Sequence, residues 1–430
     1  MLVREAKLLN GTPEQYQSLD EAIRTAQFVR NKCLRHWMDN RGVGKKELYA
    51  LCKHLAAAFE FAKRLNSSAR QASAERAWAA ISRFYANCKK KGVGKKGYPR
   101  FKKNCRSVEY KQSGWKLSPD GMAITFTDGN QAGTFALYCN GEARRLLLGS
   151  KINRVRVVRR ADGYYAQFCL DVERREPGES TGKRVGLDLG LHHFYTDQDG
   201  NTVDCPKPLR RAEKRLKRQQ RRLSRRFRKG VKAQSKRYLK QKRRVGKVHL
   251  KVQRQRRDWA SKLARCVVVS NDIVAYEDLP VRNLVRNHHL AKSIQDAAWS
   301  LFTRWLDYYG KVWGKVVVAV PPEYTTQECS GCGYRVKKTL STRTHRCPKC
   351  GLVLCRDQNA ALNILRRALQ MLGVEWNGTQ GHWGTASREG TLGERGTAAG
   401  EGRPNSVSAL VEPRTRIPAL KGGEYVNSQG

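Results

Sequence analysis

A chain of 430 residues with 85 Lys and Arg against 37 Asp and Glu carries a formal net charge of +48, more than one compact domain holds without repelling itself. Two to four domains are expected at this length, and so is an acidic polymer as partner, nucleic acid first, because every neutralised phosphate releases counterions. A membrane partner is set aside: no apolar run approaches the ~18 residues that span a bilayer, the N-terminus forms no basic amphipathic helix with a continuous apolar face, and Met1-Leu2-Val3-Arg4-Glu5 does not open a signal peptide, so a soluble cytoplasmic protein is expected.

In chain order, residues 1–30 read as a short extended segment and then a helix. From about 45 to 92 the spacing is helical, through Leu48, Leu51, Leu55 and Ala58 and then Ala74, Trp78, Ile81 and Tyr85. Gly92–Lys103 is a Gly/Lys-rich loop. Residues 107–173 change period: Ala123–Thr127, Thr134–Tyr138, Val155–Val158 and Tyr164–Val172 are β-rich, with a turn at Ala161-Asp162-Gly163, and they predict a small barrel or sandwich. Arg175–Lys183, which contains Pro177, is a linker. Val185–Gly190 is an apolar strand holding one acid, and Asp199-Gly200 marks a hairpin. Of the 51 residues from 207 to 257, 25 are Lys or Arg and one, Glu213, is acidic. Leu216, Leu223 and Phe227 fall near heptad spacing, so this run predicts one or two long helices joined near Gly230. A strand over Asp272–Leu279, an aromatic-rich amphipathic helix over Ala291–Tyr309, a strand over Lys315–Val320 and a helix from about Asp357 to Leu372 follow. The composition then collapses to Gly, Thr, Ser and Glu, which predicts a disordered tail over 373–430.

Three constellations carry chemistry. Cys329-Ser330-Gly331-Cys332 and Cys347-Pro348-Lys349-Cys350 form two CxxC knuckles whose four thiolates suit one tetrahedral Zn²⁺ with no position left for water, hence a structural ion. His345, two residues before Cys347, could compete as a ligand but is taken as facing solvent or nucleic acid, and Cys355 as a non-ligand. The other cysteines, such as Cys33, Cys52 and Cys169, read as small reduced hydrophobes. The second constellation is Asp188 inside its apolar strand, Glu277 at a strand end and Asp357 at a helix start. Oxygen ligands of this kind suit Mg²⁺ or Mn²⁺, and two such ions can hydrolyse a phosphodiester. Each acid also has an ordinary reading: Asp188 as the partner of an arginine, Glu277 as a solvated strand end, Asp357 as a helix N-cap. The third is the basic run. With 25 bases to one acid it has almost no internal pairing and calls for phosphate, Phe227 being assigned to packing and Tyr238 left open.

The motifs resemble those of the TnpB proteins of bacterial transposons, relatives of the type V CRISPR effectors. Gly186-Leu187-Asp188-Leu189-Gly190 resembles the first RuvC-like motif, Tyr276-Glu277-Asp278-Leu279 the second, and Arg356 to Ile364 the third. Pro321 to Gly333 resembles the zinc segment, and Gly97-Tyr98-Pro99-Arg100-Phe101-Lys102 a further family motif. The likeness runs from about 95 to 372 and is weak over the first 90 residues. Cys355 departs from the Asp that many relatives carry there.

The resemblance implies a multidomain α/β protein. Residues 1–174 would form a wedge β-barrel interrupted by a helical recognition lobe at about 30–95. Residues 182–372 would form a ribonuclease-H-like RuvC nuclease domain with a basic helical insertion (207–265) and a zinc ribbon (322–355). It implies an RNA-guided, metal-dependent DNA endonuclease, nucleoid-associated, cutting double-stranded target DNA beside a short motif under a guide RNA from the transposon end. Asp188, Glu277 and Asp357 would hold two Mg²⁺ or Mn²⁺, and Cys329, Cys332, Cys347 and Cys350 one zinc. Arg221, Arg222, Arg225 and Arg226, with Arg100 and Lys102, would bind nucleic acid, and no small-molecule substrate is evident. The competing readings are an RNA-guided DNA-binding repressor without cleavage and an accessory transposase protein.

Overall fold

The computed structural model describes residues 1–90, 96–176, 178–231, 233–339 and 341–374. The predicted tail beyond 374, part of the Gly/Lys loop and Pro177 of the linker lie outside them. The chain divides into two units after Arg174. Among the described residues no helix is long and apolar enough to cross a membrane.

In the first unit, β1 (Leu2–Leu9) runs into α1 (Pro13–Asp39). The turn between them is tight because Gly11 lies against Phe135, whose ring a Cβ would meet at 2.4 Å. Thr12 then caps the helix in a reciprocal box with Gln15, and Pro13 occupies the first turn, where no amide partner is needed. The helices α2 (Lys45–Ala58), α3 (Glu60–Arg64) and α4 (Ser67–Lys89) follow. The early part of α1 buries Leu19, Ile23 and Ala26 in the sheet core beside Phe135 and Phe168. Its later part buries Val29, Cys33 and Leu34 against Leu48, Leu55 and Ile81. One helix thus joins two cores, and the extended segment followed by a helix expected over residues 1–30 is β1 and the first part of α1.

The strands are β2 (Ser107–Tyr110), β3 (Trp115–Leu117), β4 (Ala123–Phe126) and β5 (Gly133–Tyr138), then α5 (Gly141–Gly149), β6 (Ile152–Arg160) and β7 (Gly163–Leu170). All seven strands belong to one antiparallel sheet in the order β2-β6-β7-β1-β5-β4-β3. The N-terminal strand lies in the middle, paired from Leu2↔Leu170 to Lys7↔Tyr165 on one side and from Lys7↔Tyr138 to Leu9↔Ala136 on the other. A pairing over more than a hundred residues leaves no local trace, so the strand pattern at 107–173 exposes only part of this sheet. The helix α5, capped by Asn140, was not foreseen.

In the second unit, β8 (Arg184–Leu189), β9 (His193–Asp197) and β10 (Thr202–Asp204) form a meander. The basic helices α6 (Pro208–Ser224) and α7 (Lys236–Val269) come next, then β11 (Ile273–Glu277) and the helices α8 (Val281–Leu284), α9 (His288–Ala297) and α10 (Trp299–Trp313). The strand β12 (Val316–Val320) completes a five-stranded sheet in the order β10-β9-β8-β11-β12, with β8, β11 and β12 parallel. A small hairpin, β13 (Thr344–Arg346) and β14 (Val353–Cys355), leads into α11 (Arg356–Met371).

The single helix expected over Ala291–Tyr309 is two, broken at Ala298, which takes a left-handed φ of +59°. Beside that break Asp296, 2% exposed, accepts the backbone N–H of Leu209 and Arg210 at the start of α6 and pairs with Arg256. The basic run pairs with itself, α6 antiparallel to α7, around Leu216, Val245 and Val248. Fully buried Gln241 donates to the carbonyl of Gln219 between them.

The position of α11 rests on one glycine. A Cβ on Gly186, in the middle of β8, would meet the carbonyl oxygen of Ala361 at 2.3 Å and the Cβ of Leu365 at 2.8 Å. Only the bare backbone lets α11 lie this close, while Ile364, Leu365 and Ala368 pack on Ala275 and Val320. Gly186→Ala is expected to cost about 1–3 kcal/mol through overpacking and to lower the melting temperature of the chain. A melt indistinguishable from wild type would show that the helix is not held by this contact.

Candidate active site and metal centre

The C-terminal ends of parallel strands are where an α/β sheet leaves a crevice, and here two of them carry acids. The β8–β11 register runs from Ile273↔Arg184 to Tyr276↔Leu187, so the next step sets Glu277 beside Asp188. Asp188 is 9% and Glu277 6% exposed. Asp357 lies in the first turn of α11, where the cap position belongs to Cys355, so it is not the N-cap itself.

Burial, then the charge of Glu277, then that of Asp357 push the Asp188 carboxyl well above its ordinary range, and Arg356 alone opposes them. Asp188 thus feels two neighbouring acids more strongly than Arg356. Glu277 is also raised, by burial, although the Thr325 hydroxyl donating to its Oε1 and the nearby Arg367 work against this. Asp357 is half-buried and held by Arg356 at 3.0 Å, with Arg343 at 3.7 Å. Two buried carboxylates that each raise the cost of charging the site suit a divalent cation with oxygen ligands.

The thiols gather more tightly. The four Sγ atoms of Cys329, Cys332, Cys347 and Cys350 lie within 4.8 Å of one another, the only such group of three or more ligand side chains among the described residues; the three acids are more loosely set. Cys329–Cys350 is 3.6 Å and Cys332–Cys347 is 3.5 Å, close to the ~3.8 Å edge of a tetrahedron with ~2.3 Å Zn–S bonds. The two knuckles are built alike. Gly333 and Gly351 adopt φ of +75° and +72°, and their N–H groups return to the carbonyls of Cys329 and Cys347. The N–H of each of those cysteines donates to the residue after the glycine, Tyr334 or Leu352. Burial opposes ionisation of Cys347, yet the backbone N–H groups of Cys350 and Lys349 bring its thiol down to about 6. The set fits one zinc ion.

Residues that the sequence reading missed join the two sites. Asn359, Asn363 and Arg367 fall every four residues along one face of α11. Asn359 Nδ2 donates to the carbonyl of Glu328, and its Oδ1 accepts the N–H of Ser330. Asn363 donates to the carbonyls of Thr325 and Glu328. Arg367 binds the carbonyls of Pro321 and Glu323 and the Glu328 carboxylate at 2.6 Å. The helix that carries Asp357 in its first turn thereby straps down the segment entering the first knuckle. Buried amides at i, i+4 spacing were the available signal for it.

His345 is a correction. It is fully buried inside the module, because the alternation of β13 turns it inward between exposed Thr344 and Arg346, and its Nδ1 meets Lys338 Nζ. Phe227 is a second: α6 ends at Ser224, so Phe227 is 56% exposed and leans on Tyr238 with ring centroids 5.9 Å apart, while Leu216 and Leu223 keep the heptad packing. Arg221, Arg222 and Arg225 are exposed, whereas Arg226, also exposed, reaches across to Gln241 and the carbonyl of Arg237. In the first unit the backbone at Arg100 and Lys102 is tied to Arg30 and Asn31 of α1, which leaves both side chains at the surface.

A family model described as "Probable transposase" matches residues 167–288, and one described as "Cas12f1-like, TNB domain" matches 299–364. A Streptomyces pristinaespiralis protein named "Putative RNA-guided DNA endonuclease" is 30% identical over 83% of this chain and 87% of its own length. Escherichia coli "Putative RNA-guided DNA endonuclease InsQ" is 30% identical over 50% of this chain and 56% of its own. A solved Cas12f1 chain, from a complex with sgRNA and target DNA, superposes with a TM-score of 0.53 at 13% identity, covering 82% of this chain and 83% of that one. That likeness is one of mixed α/β fold.

Replacing Cys332 or Cys350 by Ser should release about one zinc per chain, measured by metal analysis of the purified protein; full retention in both variants would dissolve the four-thiolate assignment. The acids give a pH test. A carboxyl raised above its unfolded value contributes stability that is complete below about pH 3.9 and lost as pH rises through its folded value. Metal-free Asp188→Asn should therefore melt higher than wild type at neutral pH, the gap closing in acid and in excess Mg²⁺. Equal melting at all pH values would mean that Asp188 bears no such strain.

Proposed function

Since the chain belongs to the TnpB family of transposon-encoded RNA-guided DNA endonucleases, we propose that it cuts guide-matched DNA at Asp188, Glu277 and Asp357. Its five-stranded sheet is read as the ribonuclease-H-like core of a RuvC-type nuclease. The seven-stranded sheet is read as a wedge domain and the helices inserted in it as a recognition lobe. A guide RNA from the transposon end supplies sequence recognition by pairing, and a short adjoining DNA motif licenses the target.

The single observation that carries the reading is Asp188: an acid in an apolar strand, raised by burial and by two further acids. Such a site is costly as bare protein and apt for cations. Mg²⁺ or Mn²⁺, two ions in this reading, would activate water and stabilise the leaving oxygen of the scissile phosphodiester. Asp188 and Glu277 hold their carboxylates at adjacent strand ends, and Asp357 closes the site from the helix start. Arg356 pairs with Asp357 and donates to the Thr342 carbonyl, which fixes the third acid, and the more exposed Arg343 lies beside it. The zinc module, built as a closed four-thiolate site, has a structural part and takes none in the chemistry.

The exposed guanidiniums of Arg221 and Arg222 on α6 and of Arg225 just past its end bind phosphate without reading sequence, as do the side chains of Arg100 and Lys102. Reversing the charge of Arg221, Arg222 and Arg225 together should weaken nucleic-acid binding and flatten its salt dependence by about one unit of slope per lost contact. An unchanged slope would remove α6 from the interface.

The nuclease reading is tested with Asp188→Ala in the ribonucleoprotein. Cleavage should fall by orders of magnitude in Mg²⁺, while RNA-guided target binding stays near wild type, because binding rests on phosphate contacts and pairing. Cleavage at a comparable rate would refute the three-acid site. Loss of binding together with cleavage would show that Asp188 supports the fold and not the chemistry.

A further inference from the structure

We propose that Thr325 is the positioning residue for Glu277: its hydroxyl fixes one carboxylate oxygen so that the other is presented to the divalent cation, and the zinc module's lead-in strap holds Thr325 in place. The inference rests on the reading of Glu277 as a metal ligand.

Thr325 is 2% exposed and lies four residues before Cys329. Its Oγ1 donates to Glu277 Oε1. The residue is clamped by its backbone, since Asn363 Nδ2 donates to the Thr325 carbonyl at 2.9 Å and to the Glu328 carbonyl at 2.7 Å. Asn359 holds the next step of the strap through the Glu328 carbonyl and the Ser330 N–H, one residue either side of Cys329. The preceding residue, Tyr324, has a left-handed φ of +63°, a conformation that costs energy for a bulky residue, and Arg335 covers its ring with the guanidinium carbon 3.5 Å from the centroid.

A glutamate has three side-chain torsions, and Glu277 is the last residue of its strand. Without a partner its carboxylate would sample several rotamers at the mouth of the sheet. A hydroxyl bonded to one oxygen removes that freedom and leaves the other oxygen for a cation, as outer hydrogen bonds do at metal sites generally. The residue that bears the hydroxyl is held in turn by α11, the helix that carries Asp357 in its first turn. A single element therefore supplies the third acid and orients the second, and the thiolate module anchors the far end of the strap.

Thr325→Val keeps the shape and removes the donor, Thr325→Ala removes it with less bulk, and Thr325→Ser restores it. Mn²⁺ affinity is read by the electron paramagnetic resonance of free Mn²⁺, without DNA, with Glu277→Gln as the reference for a lost site. Val and Ala should weaken Mn²⁺ binding about 10-fold or more and raise the Mg²⁺ needed for half-maximal cleavage in proportion. Zinc content and target binding should not change, and Ser should lie within about 2-fold of wild type. The proposal is overturned if Val and Ala bind Mn²⁺ as wild type does while Glu277→Gln loses it. It is equally overturned if Ser is as defective as Val. If Glu277→Gln itself keeps full Mn²⁺ affinity and cleavage, the acid-site reading fails, and the proposal with it.

Discussion

The close approach of α11 to β8 across Gly186 is the contact on which the second unit depends. Because no side chain separates helix from strand, the first turn of α11 lies near the end of β8, and Asp357 comes within electrostatic reach of Asp188. The same helix has a second face, Asn359, Asn363 and Arg367, that holds the strap leading to the thiolates. A shift of α11 would therefore disturb the carboxylates and the zinc module together. This packing joins two sites whose residues lie far apart in the chain.

Charge organises the rest. Asp188 and Glu277 are buried with little to offset them, and a divalent cation is the economical partner for such a pair. Elsewhere the imbalance has the opposite sign. Glu213, the one acid of the basic run, is already engaged by Lys217 and Lys292. What α6 and α7 share between them is a narrow apolar seam and the buried Gln241, while the later part of α7, with Ala260, Leu263 and Ala264 buried, packs against α10. A protein of net charge +48 thus surrounds one buried acidic pair, Asp188 and Glu277, with a strongly basic remainder.

Much of the candidate site was legible because its signals are local. The two CxxC knuckles announce themselves by spacing, and an acid inside Val185–Leu189 stands out against an apolar strand. The strand at 273–277 and the final helix were readable from their period. What was not legible depends on distant partners. Thr325 is an ordinary threonine until Glu277, 48 residues earlier, is folded beside it. Gly186 looks like one more small residue until Ala361 presses on it. The central place of β1 in its sheet, the break at Ala298 and the burial of His345 are likewise settled by tertiary packing. Phe227 misled because the heptad pattern continues past Ser224, where the helix stops.

Anomalous diffraction from crystals of the ribonucleoprotein soaked in Mn²⁺ tests the central claim most directly. The account predicts anomalous density bounded by the carboxylates of Asp188, Glu277 and Asp357, with oxygen ligands at about 2.1 Å, and Thr325 still bonded to the Glu277 oxygen that faces away from the ion. Well-ordered carboxylates with no anomalous density between them, and Mn²⁺ found only elsewhere, would contradict it.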